Sequence, residues 1–445
     1  MSGSKTRLLC GVLPFAGVLV ASAATAQPVG QFLLNRYFPD GIPGYYTEPG
    51  VTVQSRVQPE YQPTEIRAGS FIIRPQASEA VGYNDNLLGS TTSKQGGALL
   101  NTQASLDAAS DWSRNSLSAS INVNDTVYPS LPSQNTTIWS GSLGGTYDIG
   151  RDQAQAGYTH LSTYESPTGV NSRGISAPAP YDLDNVHIGY TSQFGRFSLL
   201  PRFDYTQMRF SPATFGSGPP QSQSFQNRNV YLGALETHYE FSPQHNAVLE
   251  VSGVGNDYVS ATALVPTQNS IGYAVRAGLD YAVNGVWRFR ALAGYELREF
   301  QSSAYQQQGA PVGEANVIWT PTGLTTVTAR VARTIEDTAN ASTISVTGYD
   351  YTSAQLAVDH EYLRNVLLRS YVAYQRADYV GSPATESFYQ FGLGATWLLD
   401  RNFRLGLNYN FLDHTGDTGG QPLSSPVKGG SYLQNIMMLE LHFRI

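Results

Sequence analysis

The amino-acid sequence predicts an all-β protein: a transmembrane, antiparallel, up-and-down β-barrel of about 18 strands, with roughly 16 as the alternative count. Three observations lead to this prediction. Apolar and polar residues alternate with a period of two along most of the chain, short and long connections alternate between these runs, and four of the five tryptophans lie beside short connections. Short turns on one side of the membrane and longer loops on the other are typical of outer-membrane barrels.

The segment 273–297 shows the alternation most clearly. On its first arm apolar side chains share one face, whereas Arg276 and Asp280 share the other; the second arm opposes apolar side chains to Arg288 and Arg290. An Asn-Gly pair joins the arms, and this pair favours the type I′ turn of a two-residue β-hairpin. We therefore predict a hairpin whose apolar face meets lipid and whose charged face meets water.

The first 26 residues have the pattern of a secretory signal peptide. Lys5 and Arg7 precede an apolar run, and Ala24-Thr25-Ala26 offers a small-x-small cleavage site. The run is shorter than the roughly 20 apolar residues with which a helix crosses a bilayer, which argues against a transmembrane anchor. We expect cleavage after Ala26 and export to the outer membrane of a Gram-negative bacterium.

Cys10 is the only cysteine, and it lies within the signal peptide. We therefore expect no disulfide, thiol nucleophile or thiolate metal site in the exported chain. The formal net charge of −7 includes Lys5 and Arg7, and no acid lies before Gln27, so loss of the signal peptide leaves −9. This acidic balance, without a basic run, argues against nucleic acid as a partner.

Residues 27–65 are rich in Pro and Tyr and show no sustained alternation. We predict a periplasmic N-terminal extension, followed by the barrel at residues 66–445. The extension could plug the barrel or dock a periplasmic partner, such as an export component. The alternative is a loosely ordered tail, because Pro-rich compositions seldom build a packed unit.

Short and long connections alternate along the barrel segment. The short ones lie at residues 113–115, 150–152, 194–195, 242–245, 283–285, 320–323, 362–365 and 399–402. The longer ones are rich in Ser, Gly, Pro, Gln and Thr, and include 167–182, 213–226, 260–268, 301–310 and 414–430. We assign the turns to the periplasm and the loops to the cell exterior; an even strand number then leaves both termini in the periplasm.

The tryptophans favour this orientation. Trp112, Trp287, Trp319 and Trp397 lie beside short turns on the apolar faces of their strands, where an indole suits the membrane interface, whereas Trp139 lies at the opposite end. A soluble β-sandwich or propeller also has alternating strands, but it would not explain so uniformly apolar a face opposite one with so many charges.

The final strand places leucines, methionine and aromatic residues on one face and polar residues on the other. It ends on outward hydrophobic residues, with Phe443 close to the terminal Ile445. This ending resembles the signal that the bacterial barrel-assembly machinery reads, although a terminal Phe is more usual. The machinery and outer-membrane lipid are therefore two predicted partners.

Charged side chains on the predicted inward face are the candidate functional group. Arginine binds carboxylate, sulfate or phosphate in a forked geometry, so an arginine-lined lumen would favour anionic solutes or acidic saccharides. Alternatively, the arginines pair with Asp280, Glu296, Glu314, Asp359 and Glu440 and only line a wet wall. The lumen-lining candidates are Arg74, Arg202, Arg276, Asp280, Arg288, Arg290, Glu296, Arg298, Arg330, Arg369, Arg404, Glu440 and Arg444.

The sequence contains no recognisable catalytic, metal or cofactor motif. Its seven histidines are scattered, and neither a nucleophile elbow nor a metal-spaced His pair nor a Gly-rich phosphate loop occurs. We therefore expect no enzymatic activity, no cofactor and no metal site.

Three stretches carry a resemblance to a known family: VTVQSRVQPEY at residues 51–61, IRAGSFIIRP at 66–75 and YNDN at 83–86. They resemble the start of the proteobacterial outer-membrane barrels often called the type 2 β-barrel porin family. The resemblance implies an outer-membrane barrel of similar size, and family members are often suspected of serving exopolysaccharide export. A barrel of this size leaves an aqueous lumen unless something plugs it, so we predict a pore for hydrophilic solutes. A non-conducting barrel that recruits a periplasmic partner through its N-terminal extension is the alternative function.

Overall fold

The computed structural model describes residues 52–54, 56, 58–172, 174–259, 266–283, 286–338, 346, 348–420 and 427–445. The described chain is almost entirely β-sheet, with three one-turn 3-10 helices at Pro59–Tyr61, Pro132–Gln134 and Ser224–Gln226. No helix in this part of the chain has the length and apolar character needed to cross a membrane. The predicted signal peptide and its cleavage site lie outside the described residues.

The strands follow one another along the chain in a single sheet. They are β1 (Ile66–Ala68), β2 (Phe71–Asn84), β3 (Gly97–Ser110), β4 (Ser116–Val127), β5 (Thr136–Ile149), β6 (Asp152–Glu165), β7 (Ala179–Phe194), β8 (Phe197–Phe210), β9 (Arg228–Ser242), β10 (His245–Tyr258), β11 (Ser270–Val283), β12 (Trp287–Phe300), β13 (Gln308–Thr322), β14 (Thr325–Asp337), β15 (Gly348–Leu363), β16 (Val366–Tyr379), β17 (Thr385–Leu398), β18 (Phe403–Asp417) and β19 (Gly430–Arg444).

Strands β2 to β19 form a closed antiparallel barrel of 18 strands. Each strand pairs with the next, and β19 pairs with β2 from Ile436 opposite Asn84 to Arg444 opposite Gln76. Closure leaves no unpaired sheet edge, as a lipid environment requires. The predicted fold class and the count of 18 are confirmed, and the alternative of 16 is wrong.

The barrel wall begins at Phe71, slightly later than the predicted start of the barrel segment. Gly69, with a φ of +62°, turns the short strand β1 back onto the start of β2, where Ile66 pairs with Ile73. Strand β1 is therefore a small hairpin arm at the rim rather than part of the closed wall.

Short turns and long loops lie at opposite rims, hereafter the short-turn rim and the long-loop rim. Each predicted short connection lies at the junction of two consecutive strands, although several overlap the strand ends; β13, for example, continues to Thr322 within the predicted connection 320–323. Gly150 and Gly195 have φ values of +68° and +63°, which glycine adopts without strain in two-residue turns. The predicted Asn284-Gly285 turn lies outside the described residues, although Val283 pairs with Trp287 on either side of it.

The two faces of the wall have opposite character. Tyr273, Val275 and Met437 on the outer face are more than half exposed, whereas Ala274 and Leu292 on the inner face are buried. This distribution is the reverse of a soluble β-sandwich, whose apolar face is buried. The outer surface therefore suits lipid, and the predicted faces of the hairpin at 273–297 are confirmed by its alternating exposure.

Three predicted loops overlap strands: β7 begins at Ala179, within the predicted loop 167–182, β13 begins at Gln308, within 301–310, and β18 runs into 414–430. The sequence places the start of a loop at His414, but β18 continues to Asp417. His414 lies on the inner face, where its Nε2 is 2.9 Å from a carboxylate oxygen of Glu386, and both side chains are buried. This buried pair extends the strand into a part of the chain whose composition resembles a loop.

Candidate functional site

The inner wall of the barrel carries most of the predicted site residues. On β10 and β11, Glu250 and Arg276 lie directly opposite each other and form an ion pair. Glu250 also lies 3.5 Å from Arg202 on β8, so one carboxylate serves two guanidinium groups. Because Glu250 is almost fully buried, its charge is well placed to neutralise both.

A second group of pairs surrounds Arg290 on β12. Its Nη2 is 2.7 Å from Glu236, and its Nε is 3.3 Å from Glu314. Glu236 also contacts His238. Of these partners the sequence analysis named only Glu314, because Glu236 reaches Arg290 from β9, three strands away, and no local pattern reveals that distance.

A third group lies deeper towards the long-loop rim. Arg298 contacts Asp337 and lies 3.3 Å from Glu296, while Arg228 lies 3.6 Å from Asp337. Arg228 and Asp337 were missed because they stand at the ends of their strands. Inward parity would have identified Arg228, whereas Asp337 has the outward parity of β14 and contacts Arg298 only because it stands at the strand end.

The other candidates are distributed around the wall. Arg369 lies 3.6 Å from Asp359, and Arg74 lies 3.4 Å from Glu65. The remaining candidates also lie on strand positions of inward parity: Asp280, Arg288, Arg330, Arg404, Glu440 and Arg444. Arg330 is exposed, although the adjacent strand positions show that it faces the lumen. Whether these side chains select a solute stays a prediction.

A different wall, formed by β2 to β5 and β16 to β19, carries mostly amides and hydroxyls between charged side chains such as Arg369 and Arg404. Asn101 donates to Asn124 at 2.7 Å, and Gln103 donates to Asn101 at the same distance. On the other side of the closing pair of strands, β2 and β19, the Tyr371 hydroxyl donates to Asn410 at 2.7 Å. The lumen thus has an ion-paired arc and a largely neutral polar wall.

The loop between β6 and β7 crosses the interior of the barrel. Its residue Thr168 accepts a hydrogen bond from the Tyr432 hydroxyl at 3.0 Å, and the Asn171 amide donates to Glu386 at 3.2 Å. Thr338 donates to the Asn171 side chain at 3.0 Å. In the ring of 18 strands, β17 and β19 are seven and five places from β6, so these contacts join parts of the wall that are not neighbours in the sheet. We call residues 166–172 the crossing segment.

An apolar cluster secures the crossing segment. Val170 packs with Tyr349, Tyr379 and Phe388, all buried on the inner faces of β15 to β17. Most aromatic residues have outward parity, but these rings gather inside, at the long-loop rim. Nearby, Lys428 donates to a carbonyl of the loop between β2 and β3, and burial lowers the pKa of its ammonium group.

Glu386 is the polar centre of this attachment. Besides the Asn171 amide, it contacts the His414 ring at 2.9 Å and accepts from the Tyr379 hydroxyl at 3.4 Å. Both Glu386 and His414 are about 1% exposed. The sequence analysis did not identify Glu386, since its partners come from a loop and two other strands.

The described residues between 52 and 61, hereafter the N-terminal segment, enter the lumen from the short-turn rim. The Val53 amide donates to Thr326 at 3.0 Å, and the Gln54 side chain donates to Asp359 at 3.2 Å. Arg56 pairs with Glu361. Thr326, Asp359 and Glu361 are buried inner-wall residues, so this part of the predicted extension occupies the mouth of the barrel.

All four predicted interface tryptophans lie at the short-turn rim. Trp287 stacks on Trp319 with ring centroids 5.0 Å apart, and Trp112 meets Phe71 edge-on at 5.7 Å. Trp397 is half exposed on the outer face of β17, next to the strand end. Their contact with the membrane interface stays a prediction.

Comparison with solved structures gives barrels of similar extent. The chain is similar to OccAB3 of Acinetobacter baumannii, at 9% identity and a TM-score of 0.45, covering 85% of this chain and 100% of that chain. It is similar to OccK2 (OpdF) of Pseudomonas aeruginosa, at 11% identity and a TM-score of 0.45, covering 84% and 98%. A BenF-like porin from Pseudomonas fluorescens Pf-5 gives 10% identity and a TM-score of 0.44, covering 84% and 98%.

Comparison with curated proteins finds no match. Residues 58–445, by contrast, match the family model described as "Putative beta-barrel porin 2". This match takes in the whole closed wall and confirms the resemblance drawn from residues 51–86. The chain therefore belongs to this family of outer-membrane β-barrel porins.

Proposed function

We propose that the protein is an outer-membrane pore for small hydrophilic solutes. The observation that carries the proposal is the closed barrel of 18 strands with a polar and charged inner wall. Barrels of about 16 to 18 strands leave an aqueous channel unless something fills it. Two segments of this chain narrow the channel: the crossing segment near the long-loop rim and the N-terminal segment at the short-turn rim.

The ion pairs of the inner wall bear on the solute class. Four inward arginines each contact a carboxylate: Arg202, Arg276, Arg290 and Arg298. The ion-paired arc that they form therefore has little net positive charge with which to attract an anion. The neutral wall instead presents amide groups such as Asn408, which can donate to and accept from sugar hydroxyls. We therefore favour neutral hydrophilic solutes and saccharides, and coupling to exopolysaccharide export is the finer form of this proposal.

Planar-bilayer recording of residues 27–445 tests the pore. We expect stepwise ohmic currents that increase when either narrowing segment is released. Swelling of proteoliposomes in solutions of neutral oligosaccharides of increasing length would then give the size limit for uptake. Persistent silence of the parent protein and of both released variants would contradict the proposal.

Glu250 offers a test of charge compensation within the lumen. Replacing it with Gln (E250Q) leaves Arg202 and Arg276 without their shared carboxylate, so we expect the zero-current potential in a salt gradient to move towards anion selectivity. Loss of the charged partner should also cost about 1–3 kcal/mol of barrel stability. The double variant E250Q/R276Q removes one charge of each sign and leaves only Arg202 without this carboxylate, so its zero-current potential should lie between those of the parent and E250Q. Equal selectivity of E250Q and the parent would show that these groups do not face the ion path.

A second candidate function is a non-conducting barrel that docks a periplasmic export partner. The observation that favours it is the exposed pair of Glu60 and Arg364, 3.0 Å apart at the short-turn rim. If this function is correct, removal of residues 27–65 abolishes co-purification of a periplasmic partner, while bilayers containing the parent or the truncated protein stay silent. Ohmic currents would favour the pore instead.

A further inference from the structure

Two neighbouring inward arginines have no ion pair with an acidic side chain of the described residues: Arg404 and Arg444. Seven other inward arginines have such a pair: Arg74, Arg202, Arg228, Arg276, Arg290, Arg298 and Arg369. On the same face of β19, Glu440 accepts from Ser78 at 2.8 Å through one carboxylate oxygen, and its other oxygen lies 3.1 Å from the His442 ring.

Arg404 and Arg444 are neighbours on adjacent strands at the short-turn rim. Arg404 is the second residue of β18 and lies opposite His442, while Arg444 ends β19 and its amide donates to Asn402 at 2.9 Å. This register makes the two arginines a diagonal pair on the inner face, at a typical separation of about 7–8 Å. The positive charges of the two side chains repel each other.

The two guanidinium groups have unused donor capacity. The Nε of each is buried without a hydrogen-bond partner among the described residues. Arg444 is 93% buried and uses one Nη to donate to the carbonyl of Tyr61, in the N-terminal segment. Arg404 has no hydrogen bond to any described residue. Holding two cations side by side is unfavourable unless an anion offsets their repulsion.

We propose that Arg404 and Arg444 form a binding site for an oxyanion of a solute, meaning a carboxylate, sulfate or phosphate group, at the short-turn rim of the lumen. The planar guanidinium fork matches the two oxygens of such a group, and two forks suit a doubly charged anion best. The site lies apart from the ion-paired arc, so its occupancy does not require those pairs to open. It also gives the lumen one place that retains anions.

Thermal denaturation of the purified detergent-solubilised protein tests the site without relying on conduction. Sodium sulfate is compared with sodium chloride at equal ionic strength, with circular dichroism as the signal. We expect sulfate to raise the midpoint by about 2 °C for each tenfold excess over its dissociation constant. The rise should be absent in R404Q/R444Q and preserved in the control E250Q/R276Q, which removes charges that already have partners.

Three results would overturn the proposal: equal midpoints in sulfate and chloride, a sulfate effect that survives in R404Q/R444Q, or one that is also lost in E250Q/R276Q. If R404Q/R444Q does not fold, R404Q alone makes the same comparison, because Arg404 has no hydrogen bond to any described residue. Deleting residues 27–51 tests whether the site binds a solute or a carboxylate from the N-terminal part of the chain itself. An unchanged response supports a solute site, whereas a response that appears only after deletion assigns the site to Asp40 or Glu48 of the chain itself.

Discussion

Replacing Glu386 with Ala (E386A) is expected to release the crossing segment and to raise the current through single channels. The substitution removes the acceptor for the Asn171 amide and the partner of His414. Each buried polar group left unsatisfied costs about 1–3 kcal/mol in the closed arrangement. Since roughly 1.4 kcal/mol corresponds to a tenfold change in an equilibrium, the open population should rise on the order of tenfold or more. Single-channel recording measures both the open-state current and its occupancy.

The matched control for E386A is E440A. Glu440 is as deeply buried as Glu386 and also contacts a histidine, but its partners Ser78 and His442 belong to the wall. E440A should therefore lower the denaturation midpoint without changing the channel current. A second variant, N171G, removes the side-chain acceptor for Thr338, and glycine adopts the φ of +58° at this position without strain. We expect N171G to open the channel to a smaller extent than E386A does. If E386A and E440A conduct alike, Glu386 does not hold the crossing segment.

Deletion of residues 27–61 is expected to open the short-turn rim. It removes Gln54 and Arg56, which contact Asp359 and Glu361 on the inner wall. Two consequences should follow together: a larger single-channel current, because part of the cross-section is vacated, and a shift towards cation selectivity, because Asp359 and Glu361 lose their partners in the N-terminal segment. Bilayer current and zero-current potential report these two effects separately.

Deletion of residues 27–51 is the control for this experiment, since it leaves the contacts of Val53, Gln54 and Arg56 in the sequence. It should conduct like the parent protein. Should the shorter deletion produce the full increase, the contacts made by residues 52–61 would not be the obstruction. An unchanged current in the longer deletion would show that the N-terminal segment does not restrict the pore at all.

The inward arginines show what the alternation of residues along a strand can predict and what it cannot. Alternation predicted the inward side for Arg276 and Arg290, because side chains along a strand point to opposite faces in turn. It left open whether they pair or select anions, and their principal partners, Glu250 and Glu236, were not among the acids that the sequence analysis proposed. Partners across strands depend on register and curvature, which no single stretch of sequence encodes.

Arg404 and Arg444 show that strand alternation also cannot tell which inward arginines lack a carboxylate partner. Both were among the predicted lumen-lining residues, yet nothing in the sequence separates them from the arginines that have carboxylate partners. The acid on the same face of β19, Glu440, contacts Ser78 and His442 instead. Only the joined strands β2, β18 and β19 make this difference visible.

The sequence by itself determined the barrel class, its apolar outer face and the alternation of short and long connections, whereas the choice of 18 strands over 16 came from the structure. These features follow from local rules: a period of two along each strand and turn residues between strands. The tertiary structure alone decided what fills the lumen. The contacts of Asn171 with Glu386 and of Gln54 with Asp359 join residues more than 200 positions apart in the chain. Such contacts arise only after the ring has closed and brought distant parts of the wall within reach of one loop and one terminal segment.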